Sequence, residues 1–275
     1  MQNSINLTPH LYNYGIDELA YYDQGKGEQT ILLIHGFGED HAIWKNQIEF
    51  LSSHYRVIAP NLPGVHCKPL ALHHSQAPNI RMYVEVLHEL MHHLHIEQYY
   101  IVGHSMGGYI GLSFADYYVN HVQGLLLFHS TTYEDNEAKK TSRMKVAEFI
   151  QEWGVSKYLE TATPNLFGDA FKKTNPGVIQ NVIESGLGIS QEAMIQFVFA
   201  MRNRKAMTHL LKQSNLPVWM IVGEADLAVP IQDSLEQIKL LPSSNSLVLN
   251  NVGHMGMFEG TDQVNEFIHQ CIQSA

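Results

Sequence analysis

The chain has 275 residues, 45% apolar and 16% charged, enough to bury one sizeable core plus an insertion. Its formal net charge of -10 argues against nucleic acid as a partner, because holding a polyanion needs a cationic surface. The longest apolar stretches are strand-length, so no membrane span is expected; Met1-Gln2-Asn3-Ser4-Ile5-Asn6 lacks leader character, and two cysteines in no metal or disulfide pattern, Cys67 and Cys271, fit a reducing cytoplasm.

Tyr12–Tyr14 and Leu19–Tyr22 read as an antiparallel start, with Asp17, Gly25 and Gly27 in turns. Thr30–Ile34 is the first fully buried strand, and His35-Gly36-Phe37-Gly38 is the loop after it. The glycines allow close backbone approach, which lets the Phe37 N–H serve as an oxyanion donor. Trp44–Leu51 has apolar residues at helical spacing; Arg56–Ala59 is the next strand, stopped by Pro60 and Pro63. Ile80–Leu94 reads as a helix with Val84, Leu87, Met91 and Leu94 on one face. His88, His92 and His95 fall at i, i+4 and i+7 of that helix, a spacing that can bind metal. They lie off the apolar face and no fourth ligand is suggested, so a solvated stripe is the reading and no metal site is expected. His66, His73 and His74 lie in a loop from which they can approach a pocket.

The apolar run Tyr99-Tyr100-Ile101-Val102 leads into Gly103-His104-Ser105-Met106-Gly107 and then a helical segment, Tyr109–Tyr118. G-x-S-x-G between a strand and a helix is how a nucleophile elbow is built: the turn lifts the serine Oγ clear of the sheet and aims the Met106 N–H at the reacting carbonyl. The plain alternative for Ser105 is a helix N-cap. Gly124–Phe128 is the next strand, followed by His129 and Ser130 and by no carboxylate. His35 and His104 lie at strand ends, where an imidazole can bond the backbone, and are read as structural.

Up to this point strand and helix alternate, which argues a doubly wound, mostly parallel α/β sheet. The alternation breaks from Thr131 to Gln213, which reads as amphipathic helices separated by Gly154, Pro164, Gly168, Pro176-Gly177 and Gly186-Leu187-Gly188. That stretch holds 11 of the 17 basic residues but only 9 of the 27 acidic ones. Its aromatic residues, Trp153 among them, pack helices together, and one or two can line a pocket. Arg202 and Arg204 sit near its end, either as a carboxylate anchor or as solvated charges at a helix C-terminus. Alternation resumes with Pro217–Val222, which ends in Gly223-Glu224-Ala225-Asp226, and Ser246–Leu249, which ends near Gly253-His254. Asp226 and His254 thus come after consecutive strand ends, where catalytic groups gather in open α/β sheets, and the order serine, acid, histidine is that of a triad built on an elbow. Glu224 stands before the turn and is the weaker acid candidate.

His35-Gly36-Phe37-Gly38, Pro60-Asn61-Leu62-Pro63-Gly64, Gly103-His104-Ser105-Met106-Gly107-Gly108, Gly223-Glu224-Ala225-Asp226 and Gly253-His254 together resemble the α/β-hydrolase superfamily over nearly the whole chain. The resemblance implies an α/β-hydrolase core over 1–130 and 214–275 and a helical cap over 131–213. It also implies a Ser105–His254–Asp226 triad with Phe37 and Met106 at the oxyanion, acting without a cofactor on a small-molecule ester or lactone. One departure stands out: Asn61 replaces the aspartate usual in that loop, and Val65-His66-Cys67 replaces the later part of the loop motif. Carboxylester hydrolysis is the leading expectation. Enol-lactonase or C–C hydrolase activity on an acidic metabolite is the alternative; Met255, where C–C hydrolases often carry tryptophan, weighs against the latter. A ligand receptor or inactive scaffold is the non-enzymatic alternative.

Overall fold

The computed structural model describes residues 8–15, 17–72, 77–213 and 216–275. The N-terminal hexapeptide, His73, His74, Ser214 and Asn215 lie outside the described residues.

Eight strands form one sheet: β1 (His10–Asn13), β2 (Glu18–Gln24), β3 (Thr30–Ile34), β4 (Arg56–Pro60), β5 (Tyr99–His104), β6 (Val122–Phe128), β7 (Val218–Gly223) and β8 (Ser246–Leu249). Their spatial order is β1-β2-β4-β3-β5-β6-β7-β8. β1, β2 and β4 pair antiparallel, and every later pairing is parallel. Every residue of β3, β5 and β7 is buried, because helices cover both faces of the sheet and a central strand there has no solvent side. The edge strands β1 and β8 are instead partly exposed.

The covering helices of the first half are α1 (Lys45–Leu51), α2 (Ile80–His93) and α3 (Met106–Tyr117). A short 3-10 turn, His41–Trp44, precedes α1 where the sequence pattern places helix from Trp44 onward. The buried face of α2 is Ile80, Tyr83, Val84, Leu87, Leu90 and Met91, wider than the expected stripe because Tyr83 and Leu90 also turn inward. His92 and His95 are exposed. His88 is instead stacked on the Tyr118 ring at 3.8 Å.

Between β6 and β7 the chain is helical: α4 (Glu137–Ala162), α5 (Asp169–Thr174), α6 (Pro176–Gly186), α7 (Gln191–Arg202) and α8 (Leu210–Gln213). α4 is broken at Gly154, whose φ of 80° lies in the left-handed region that suits glycine. The sheet-covering series ends with α9 (Ile231–Ile238), α10 (Gly256–Glu259) and α11 (Thr261–Gln273). Strand-end loops β3–α1, β5–α3, β7–α9 and β8–α10 therefore lie at one edge of the parallel sheet, facing the helical insertion.

Candidate active site

Ser105 sits at the turn from β5 into α3 with φ 51° and ψ -112°, a backbone conformation that costs a non-glycine residue about 1–3 kcal/mol. The surroundings hold it there. Its N–H donates to Phe128 O at 2.9 Å, and its carbonyl accepts from Gly108 N at 3.0 Å and from Ser130 Oγ at 2.8 Å. A side chain at Gly107 would collide with the Ile34 carbonyl, and one at Gly103 with the Gly107 carbonyl. The elbow thus closes only with glycine on both sides of Ser105.

Asp226 and His254 come together although 28 residues separate them. His254 Nδ1 lies 2.7 Å from Asp226 Oδ2, so Nδ1 donates and Nε2 is left as the ring's acceptor. The other carboxylate oxygen accepts from Ala228 N at 2.8 Å and Val229 N at 2.9 Å. Burial acts to raise the Asp226 carboxyl, but His254 and His129 outweigh it and hold it well below the usual carboxylate range. Glu224, by contrast, is exposed and accepts from Asn251 N at 3.0 Å.

His129 is the residue that sequence order left without a role. It comes directly after β6, is fully enclosed, and brings Nδ1 to 3.3 Å from the same Asp226 oxygen that faces His254. Burial pushes its imidazole down to about 4, so it is neutral near pH 7. Among the described residues, His129, Asp226 and His254 form the group whose ligand atoms converge enough for a metal, within 4.8 Å; the His88–His92–His95 set does not. Asp226 already accepts from Ala228 N, Val229 N and His254 Nδ1, three bonds that suit orienting a histidine better than coordinating a cation.

A second carboxylate–imidazole pair lies beside the first. Glu39 Oε2 accepts from His104 Nδ1 at 2.9 Å and from Gly36 N at 2.6 Å, while His104 Nε2 donates to His254 O at 2.9 Å. Both ring nitrogens of His104 thus face acceptors; burial acts to lower the imidazole, and Glu39 outweighs it and raises it. His35 bonds backbone alone, from Nδ1 to Gly36 O at 2.9 Å and at Nε2 from Leu62 N at 3.0 Å. Gly36 packs where a Cβ would stand 3.2 Å from the Ser105 Cβ, which sets the β3–α1 loop directly against the elbow. In that position the N–H groups of Phe37 and Met106 find no acceptor among the described residues. Asn61 accepts from both the His41 N–H, at 2.9 Å, and the His41 ring, so the substituted loop closes onto the turn before α1.

Ser105 and His254 line one cavity of about 500 Å³, walled also by Phe37, Glu39, Tyr158 and Leu227. Lys139, Ser142 and Arg143 of α4 contribute its polar wall. The sequence reading places Arg202, Arg204 and Trp153 at the substrate; the structure does not bring them there. Trp153 is 60% exposed, turned outward next to the Gly154 break. Arg202 reaches Asn203 Oδ1 at 3.3 Å. Arg204 is turned inward, neither solvated nor free: Nη2 lies 2.8 Å from Asp135 Oδ1, the fork donates to Tyr133 O, and the guanidinium covers the Tyr109 ring at 4.0 Å. Asp135 also takes Arg143 Nε at 3.0 Å. His66 rests 3.4 Å from Asp40, away from the cavity wall.

The insertion is bonded to the histidine loop. His254 N donates to Leu166 O at 2.6 Å. Glu259 accepts from Gly168 N at 2.8 Å on the insertion and from Gly253 N at 3.1 Å on the loop.

Residues 29–175 match the family model described as alpha/beta hydrolase fold. The chain belongs to the α/β-hydrolase family. This α/β-hydrolase is 26% identical over 256 residues to the 2-hydroxy-6-oxo-6-(2'-aminophenyl)hexa-2,4-dienoic acid hydrolase of Metapseudomonas resinovorans, covering 90% of this chain and 84% of the relative. It is 24% identical over 281 residues to the (E)-2-((N-methylformamido)methylene)succinate hydrolase of Acinetobacter baylyi, covering 100% and 97%. Among solved structures, a thermophilic esterase from Thermogutta terrifontis with malate bound superposes with a TM-score of 0.86 at 27% identity, over 97% of this chain and 98% of that one. The protein is an enzyme of the hydrolase class. Among the described residues, no helix of this α/β-hydrolase is long and apolar enough to cross a membrane.

Proposed function

We propose that the protein is a serine hydrolase that cleaves ester-type bonds of small molecules through an acyl-enzyme, with Ser105 as nucleophile, His254 as general base and Asp226 as the orienting acid. The observation that carries this reading is the 2.7 Å contact between Asp226 and His254, at the wall of a cavity that Ser105 also lines. The two relatives are named as hydrolases of a dienoic acid and of a substituted succinate, and the T. terrifontis protein as an esterase, which supports a small-molecule substrate.

His254 Nε2 takes the Ser105 proton as Oγ bonds to the carbonyl carbon. The oxyanion is held by the N–H groups of Met106 and Phe37, each worth about 10²–10³ in rate. The carbonyl–oxygen bond to the leaving alcohol then breaks, and His254 returns the proton to that oxygen. Water, deprotonated by His254, attacks the acyl-serine; the bond to Ser105 Oγ breaks, the proton returns to it, and the acid leaves. Asp226 stabilises the imidazolium formed in each half.

A fluorophosphonate probe tests this. It should label wild type and not Ser105→Ala, and Ser105→Ala should lose para-nitrophenyl ester turnover while retaining its Tm. Labelling that persists in folded Ser105→Ala places the nucleophile elsewhere.

A further inference from the structure

We propose that the cavity selects substrates that carry a free carboxylate as well as the scissile carbonyl, and that Arg143 and Lys139 of α4 hold that carboxylate. The proposal rests on the serine-hydrolase reading and assigns it a substrate class.

Lys139, Ser142 and Arg143 are three and four residues apart, so they share one helix face, and all three line the cavity with Ser105 and His254. Arg143 is anchored by only one of its nitrogens. Nε donates to Asp135 Oδ2 at 3.0 Å, and Nη1 and Nη2 have no acceptor among the described residues. Its side chain is 17% exposed, against 6% for Arg204 on the other side of the same carboxylate. Arg143 and Tyr158 line the same cavity. Lys139 Nζ donates once, to Ala228 O at 2.9 Å, and an ammonium carries three donors.

The charges do not cancel. Asp135 is fully enclosed and sits between two guanidinium groups, so one carboxylate faces two cations. Lys139 has no carboxylate partner among the described residues. The cavity's own acid, Glu39, is already bonded to His104 and to Gly36 N. Lys139, with no carboxylate partner among the described residues, and Arg143, which shares Asp135 with Arg204, thus stand on the wall of a partly enclosed space. Both side chains keep N–H groups without acceptors among the described residues, and a carboxylate accepting two charge-assisted N–H bonds is a ligand that fits them. Fixed Nε and free Nη atoms make Arg143 a pre-set fork, and Lys139 adds a point charge from the adjoining turn.

The test compares para-nitrophenyl hemiglutarate with para-nitrophenyl pentanoate, which share an acyl chain length and differ in a terminal carboxylate against a methyl group. Wild type should favour the hemiglutarate in kcat/KM by at least about tenfold. Arg143→Met and Lys139→Met should each cut that preference by roughly 10- to 100-fold, the range of a hydrogen bond to a charged group. Arg143→Met also unties Asp135, so Lys139→Met is the variant that separates recognition from folding. Glutarate gives a readout that needs no turnover: it should raise the Tm of wild type, less so that of Lys139→Met. Fluorophosphonate labelling of Ser105 with no hemiglutarate preference and no glutarate-induced Tm rise overturns the carboxylate site and leaves the serine-hydrolase reading standing. A glutarate-induced rise lost in Lys139→Met, without labelling, overturns the hydrolase reading and keeps the site.

Discussion

His104 donates to Glu39 across 2.9 Å with both side chains buried, 0% and 2% exposed, immediately beside His254. This pair joins three loops: Glu39 holds the Gly36 N–H, His104 precedes Ser105, and its far nitrogen holds the His254 carbonyl. Breaking a buried pair by removing one partner costs about 3–5 kcal/mol, so Glu39→Ala should unfold well below wild type. The pH dependence comes from the two directions. Glu39 is lowered from 4.5, so its contribution is present above that value and lost as pH falls; His104 is raised from 6.5, so its contribution is full below that value and lost as pH rises through the raised one. The Tm gap between wild type and Glu39→Ala should therefore be widest between about 4.5 and 6.5 and shrink in alkali. A gap that keeps widening toward high pH contradicts the ion pair.

Asp226→Asn should lower kcat by roughly 10³–10⁴, because an amide opposite Nδ1 no longer enforces the tautomer that leaves Nε2 free. Steady-state turnover of a para-nitrophenyl ester reads this directly. A near-neutral Asp226→Asn would shift the acid's role elsewhere, and exposed Glu224, bonded to Asn251 N, is not placed to take it.

His129 should make the fold acid-sensitive. Its imidazole falls from 6.5 to about 4 on folding, so protonation favours the unfolded chain. Stability should be intact above 6.5 and decline toward 4 by up to about 3 kcal/mol. His129→Asn removes the titrating ring and keeps a residue tolerant of its φ of 47°. Urea unfolding of both proteins at pH 7 and pH 4.5 should show a smaller acid loss for the variant; equal losses would assign the acid sensitivity to other groups.

Arg204→Ala should behave as a structural lesion. It removes one of two cations on Asp135 and uncovers the Tyr109 face. The loss should be about 3 kcal/mol, between that of one charge-assisted bond and that of a fully broken buried pair. Arg204→Lys should recover only part, because an ammonium offers no fork. If Arg204→Ala keeps its Tm yet loses activity on a carboxylate ester alone, Arg204 touches substrate after all.

Much of this architecture is legible from residue order alone. Thr30–Ile34 coincides with β3 because a strand buried against helices is a continuous apolar run, and Ser246–Leu249 coincides with β8, a partly exposed edge strand that still carries a short apolar run. Ser105, Asp226 and His254 stand at strand ends, so locating the strands locates them. What residue order hides is pairing across the chain. Glu39 and His104 are 65 residues apart, and neither lies in a pattern that names the other. Arg204 reads as a helix-end cation because its partner Asp135 stands at the opposite end of the insertion. Trp153 reads as a pocket aromatic, but the left-handed Gly154 beside it breaks α4 and leaves the indole outside.

The bond from His254 N to Leu166 O, flanked by the Glu259 clamp on Gly168 and Gly253, bears on how such enzymes can be recombined. The segment between the sixth and seventh strands is not an independent head that can be exchanged whole. In this chain the seam runs through the amide of His254 itself, the proposed general base. A chimera spliced at the strand ends would import a foreign Leu166–Gly168 turn and misplace His254 by whatever that turn differs. A chimera that retains 163–168 and exchanges only the helices on either side should keep its chemistry while changing its clientele.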